Sequence, residues 1–94
     1  MAVYAMVHVD VKDPEAYARY AALAGPAVEK YGGEFLARGG AYRQMEGKER
    51  ARNVIIRFRD METALAFYNS PEYQEALSHG LPAAEREYCF VEGV

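Results

Sequence analysis

The chain is expected to fold as an α+β domain of βαββαβ order with a four-stranded antiparallel sheet. Three observations predict it. The first strand alternates strictly in polarity, a strand–helix–strand order recurs in two halves of roughly forty residues each, and glycine pairs or polar turns mark the connections. Residues 3–11, VYAMVHVDV, put Val3, Ala5, Val7, Val9 and Val11 on one side and Tyr4, Met6, His8 and Asp10 on the other. That is the period of a strand with unlike faces. Asp13 is a good N-cap, Pro14 suits a first helical position and Glu15 favours the positive end of a helix dipole. Tyr17, Tyr20, Ala24, Ala27, Val28 and Tyr31 then recur at helical spacing. Gly25-Pro26 is expected to kink or break this helix, because proline cannot donate to the preceding turn.

The stretch YGGEFLARGG, residues 31–40, raises the question of a phosphate loop. Such loops need GxxxxGK[ST], or GxGxxG between a strand and a helix. Here the glycines follow a helix, so Gly32 or Gly33 is expected to close it in the left-handed region. EFLAR becomes a short strand, with a bulge or turn at Gly39-Gly40. EGKER reads as a polar turn and RNVIIRFR, residues 52–59, as the third strand. Asp60 is expected to cap a helix through METALAFYN, and Ser70-Pro71-Glu72 to start another that ends near His79. GLPAA then reads as a loop and REYCFVEGV as the last strand. This order is the ferredoxin-like one, with helices on one face of the sheet.

At 94 residues the chain is expected to be one domain, 1–94, burying about two thirds of its unfolded surface. A hydrophobic fraction of 51% fits a globular chain. No apolar run approaches the roughly 20 residues of a membrane span, and the N-terminus carries no basic region or cleavage site, so a membrane partner or signal peptide is not expected. A single cysteine, Cys89, excludes an internal disulfide and suits a cytoplasmic protein. Two distant histidines and that cysteine give no metal-ligand spacing, and no metal or other cofactor is expected. From Arg38 to Arg59 there are seven bases and two acids, a charge of +5, against −8 for the remainder. This segment is a solvated hairpin, an anionic-ligand site, or a surface for an acidic partner such as a second copy of the chain. Its shortness, and the chain's acidic pI of about 5.3, argue against nucleic acid.

The face of the sheet away from the helices would carry Tyr4, Met6, His8 and Asp10. By the same alternation, strand 2 would add Leu36 and Arg38, and strand 3 Ile55 and Arg57. Such a face is too apolar for water and too polar for plain core, which predicts a homodimer packed sheet to sheet. The basic segment around Lys48–Arg52 would meet acidic surface across the two-fold axis.

DPEAYARY, KYGGEFLARGG, ALAFYNSPEYQEAL and FVEG together resemble the domain of unknown function family 1330, in the dimeric α+β barrel superfamily. The resemblance covers nearly the whole chain. It implies a ferredoxin-like fold, a barrel of two facing sheets, and relatives that include cofactor-independent oxygenases, lactone isomerases, haem degraders and ligand-sensing domains. Arg38, Tyr68, Ser70 and Tyr73 are its matching polar positions. It also implies a basic side chain in the helix near SHGLPAAE, where this chain has His79.

The expected function is binding of a small anionic or aromatic metabolite by the homodimer, with Arg38, Tyr68, Tyr20 and Arg57 as ligand-binding residues. Arg38 offers a forked donor for a carboxylate. Tyr68 stands at a helix break that would aim its hydroxyl into a cavity. The alternative is a cofactor-independent isomerase or monooxygenase-like enzyme, with His8 as base and Arg38 holding an enolate. Against it, His8 also reads as a hydrogen-bonded interface residue. Ser70 reads as a cap and Cys89 as strand filler.

Overall fold

The alternating first strand sits in the middle of the sheet. In a computed structural model describing residues 1–94, β1 (Val3–Val11) is followed by α1 (Pro14–Lys30), β2 (Glu34–Arg38), β3 (Arg52–Phe58), α2 (Met61–Tyr68), α3 (Pro71–Ala83) and β4 (Ala84–Glu92). The strands lie in the order β2-β3-β1-β4, every neighbouring pair antiparallel. This is the ferredoxin-like α+β fold. All three helices cover one face. Val3, Ala5, Val7 and Val9 are buried beneath them with Val54, Ile56 and Phe58 of β3.

The helix starts are local chemistry. Asp13, Asp60 and Ser70 each accept a backbone N–H three residues on, from Ala16, Thr63 and Tyr73. Gly32 closes α1 with φ +73°.

Both helices that contain an internal proline run further than the sequence suggests. α1 continues unbroken through Gly25-Pro26, and α3 passes His79 and Pro82 to Ala83, so GLPAA is helix rather than loop. In each case the residue four back, Ala22 or Ser78, whose carbonyl loses its helical donor to the proline, is exposed. Ala83 further anchors the end of α3, its carbonyl accepting from Lys12 N (2.7 Å) and Asp13 N (3.0 Å).

The second strand departs from simple alternation. Phe35 pairs with Ile56, but Ala37 pairs with Ile55, so an extra residue, Leu36, is accommodated between them. The bulge therefore lies inside β2, while Gly39 makes the turn at its end with φ +69°. One extra residue reverses the facing of the rest of the strand. Arg38 pairs with Val54, on the helix-covered side. The expectation that Arg38 lies on the open face is thus corrected, whereas Ile55 and Arg57 do lie there, exposed.

Across the open face runs an apolar row of all four strands, Ala37–Ile55–Met6–Cys89, fixed by the register. One end of that face is crossed by the chain entering β3. Arg50 donates to Asp10 (3.0 Å), Glu85 (2.8 Å) and both carboxylate oxygens of Glu87 (3.0 and 2.8 Å). Its side chain is only 11% exposed. Arg50, within the basic segment around Lys48–Arg52, is therefore paired with acids of its own chain.

Candidate functional site

The register brings three arginines to the helix-covered side. Arg52 and Arg86 both pair with Val9, from opposite sides of β1. One row along, Arg38 pairs with Val54, Val54 with Val7, and Val7 with Tyr88. Residues paired directly across antiparallel strands share a face. Arg38, Arg52, Arg86 and Tyr88 accordingly rise from the sheet toward α1, where they line a cavity of about 50 Å³. That is on the order of four times the space one water needs. Its other wall is Tyr17, Tyr20, Ala21, Ala24, Gly25 and Val28 of α1, with Phe67 of α2 and Tyr73 of α3 behind.

Two close approaches shape the cavity. A side chain on Gly80 would begin 2.5 Å from the Tyr20 ring, so α3 can press Tyr20 into the site only because this position is glycine. Gly39 likewise leaves room for the Arg52 guanidinium against the turn after β2. Arg38 stacks on Phe35, its guanidinium carbon 4.0 Å from the ring centroid.

Arg86 is the centre of the site. Its Nη2 donates to Tyr20 Oη (3.0 Å) and Tyr73 Oη (3.2 Å), and the two hydroxyls bond each other at 2.9 Å. Its guanidinium carbon lies 4.7 Å from the Tyr20 ring centroid and 5.4 Å from that of Tyr88. Neither Arg86 nor Arg38 nor Arg52 forms a salt bridge; every such pair in the molecule involves other cations. Two polar atoms are buried without a hydrogen-bond partner anywhere in the chain, Arg86 Nε and Tyr88 Oη, and both residues line this cavity. A buried donor left unpaired costs about 1–3 kcal/mol, more when charged. Burial pushes the hydroxyls of Tyr17, Tyr20 and Tyr88 up, and that of Tyr73 up to about 12. The tyrosines stay neutral donors near neutral pH, and the arginine charges stay uncompensated.

Of the residues singled out from the sequence, Arg38 and Tyr20 line this cavity. Tyr68 does not: its ring packs on Tyr73 (5.2 Å), Tyr88 (5.5 Å) and Phe90 (6.2 Å) as a layer behind the wall. Arg57 is exposed on the open face beside Tyr4. His8 is on the open face too, its Nδ1 2.6 Å from Asn53 Oδ1. His8 and Arg38 thus stand on opposite sides of one sheet and do not converge on a common substrate. His79 does not line the cavity; the deep basic group there is Arg86, from β4. Sequence reasoning missed Arg86, Tyr88 and Arg52. The signal was present in β4, where Arg86, Tyr88 and Phe90 alternate with exposed Glu85, Glu87 and Cys89.

The chain belongs to the family described as domain of unknown function (DUF1330), whose model matches residues 2–94. No curated protein sequence matches it. Among solved structures it is similar to a protein of unknown function from Rhodopseudomonas palustris, at 19% identity and TM-score 0.81, over 99% of this chain and 82% of that one. A dimeric ferredoxin-like protein of unknown function from Jannaschia sp. aligns at 16% identity and TM-score 0.78, over 99% and 100% of the two chains. The cofactor-independent oxygenase SnoaB of Streptomyces nogalater aligns at 14% and 0.68, over 99% and 93%. At these identities the likeness establishes the fold. No helix of the chain is long and apolar enough to cross a membrane.

Proposed function

We propose that this protein binds a small organic anion in the cavity between α1 and the sheet, and does so as a homodimer. The observation that carries the first part is Arg86, a half-buried cation without a carboxylate, its buried Nε free in a cavity that two further unpaired arginines share. Such a charge is costly to hold and becomes favourable when an anion arrives. Aromatic walls favour a ligand with a flat apolar body. The lining includes no histidine, carboxylate, lysine or cysteine, and its tyrosines ionise only well above neutrality. No side chain there serves as a base near pH 7, so the geometry favours binding over the alternative in which His8 abstracts a proton. The homodimer rests on the apolar row through Met6 and Ile55, which the helices leave uncovered, and on the dimeric relative from Jannaschia sp..

Thermal denaturation against a panel of small aromatic carboxylates and the matching amines tests the binding reading. Carboxylates are expected to raise the melting temperature and amines to leave it unchanged, with a smaller rise in Arg38→Ala. A panel that produces no carboxylate-specific shift at millimolar concentration would refute it. For assembly, light scattering is expected to give about twice the 10.5 kDa chain mass. Met6→Lys is expected to weaken the dimer, since an unpaired ammonium would enter the interface.

A further inference from the structure

Resting on the binding reading, we infer that the ligand has two oxygen-bearing ends. A carboxylate faces Arg38 and Arg52, and a single-oxygen group, a phenol or carbonyl, faces Arg86 and Tyr88.

The two ends of the cavity offer different donors. A guanidinium presents two forked edges to a carboxylate, and both include Nη2. In Arg86, Nη2 is already engaged by the Tyr20 and Tyr73 hydroxyls. What Arg86 has left in the buried part is the lone Nε–H, and what Tyr88 has left is one hydroxyl. Separate single donors of this kind suit one acceptor oxygen, or an oxygen that also donates, better than a carboxylate fork. Arg38 and Arg52 differ. Neither makes a side-chain hydrogen bond within the chain, so both forks are open. They flank the Gly39 turn, and Arg38 is solvent-exposed, which places them at the outer end. Between the ends the register places Val54 and Val7, with Phe35 and Ile56 one row further along, surfaces for a ring and not for a charge.

Calorimetric titration with benzoate, phenol and 4-hydroxybenzoate tests this on the full chain. The inference expects 4-hydroxybenzoate to bind at least about tenfold more tightly than benzoate or phenol, because a site built around a hydroxyl rejects the analogue that lacks it. In Arg86→Met that advantage over benzoate is expected to vanish. In the paired Arg38→Gln, Arg52→Gln variant, 4-hydroxybenzoate is expected to fall to the level of phenol. Those two side chains are near the surface, so this variant decides the matter if Arg86→Met does not fold. Equal binding of benzoate and 4-hydroxybenzoate to the unmodified protein would overturn the two-ended ligand while leaving anion binding intact. Failure of all three probes to bind would count against both.

Discussion

Arg50 and Arg86 both lie half-buried against β4, on opposite faces of the sheet, and their surroundings could hardly differ more. Arg50 meets Asp10, Glu85 and Glu87, and its donors are spent on them. Arg86 meets tyrosine hydroxyls, keeps its Nε free and has no carboxylate. A cation with its anions built in is a structural clip, here tying the residues before β3 to β1 and β4. A cation held without an anion is a reserved binding capacity, maintained at some cost to the unliganded fold. β4 serves both uses because its alternation sends Glu85 and Glu87 one way and Arg86 and Tyr88 the other.

The contrast breaks most visibly at Arg86. Arg86→Met is expected to cost 4-hydroxybenzoate at least about tenfold in affinity, about 1.4 kcal/mol, because the single oxygen facing Arg86 loses its donor. It is expected to stabilise the unliganded protein by up to about 1 kcal/mol, since a half-buried charge without an anion is replaced by an apolar chain of similar length. Calorimetry and chemical denaturation measure the two effects, and a variant that loses both affinity and stability would argue for a purely structural role. Next in size is Gly80→Ala. The new methyl group runs into the root of the Tyr20 ring, and about 1–3 kcal/mol of stability is expected to go, as for other overpacked cores, together with ligand binding. A variant as stable as its parent would show that Tyr20 has room to move.

Acid separates the two arginines further. The backbone N–H of Ala51 and then Arg50 hold Asp10 below its ordinary 3.8, and Arg50 holds Glu85 below its ordinary 4.5. For groups depressed by folding, the stabilisation is complete above those ordinary values and is lost as pH falls through the folded ones. Stability is expected to drop below about pH 4.5 in a way that Arg50→Gln flattens, while anion affinity stays level from pH 6 to 9. The smallest effect expected is Arg50→Gln at neutral pH. Melting temperature should fall slightly, by less in high salt than in low, because exposed carboxylates supply the partners. Ligand affinity should not change, and a loss of it would join the two regions that the structure keeps apart.

What the sequence made legible was local. Asp13, Asp60 and Ser70 cap the helices expected of them, because capping needs only the next three residues. The two faces of β1 were legible because period two suffices. The facing of Arg38 was not, since a single accommodated residue at Leu36 inverts it without any change in composition. Nor was the Arg50 clip, whose acids lie 35 to 40 residues away in sequence. The prolines misled because their effect depends on whether the residue whose carbonyl loses its donor is exposed, a tertiary fact. Arg86 was readable in principle, as a basic residue at an inward position of β4 between Ala84 and Tyr88, although its lack of an acid is visible only in the folded chain.

The central claim, that Arg86 is an unpaired cation awaiting a ligand while Arg50 is not, is tested most directly by following arginine Nε–H resonances as 4-hydroxybenzoate is added. The Arg86 Nε–H signal is expected to shift saturably as it gains an acceptor. The Arg50 signal, already bonded to Glu87 at 3.0 Å, is expected to stay in place. An Arg86 signal that never moves, or an Arg50 signal that moves in its stead, would contradict the account.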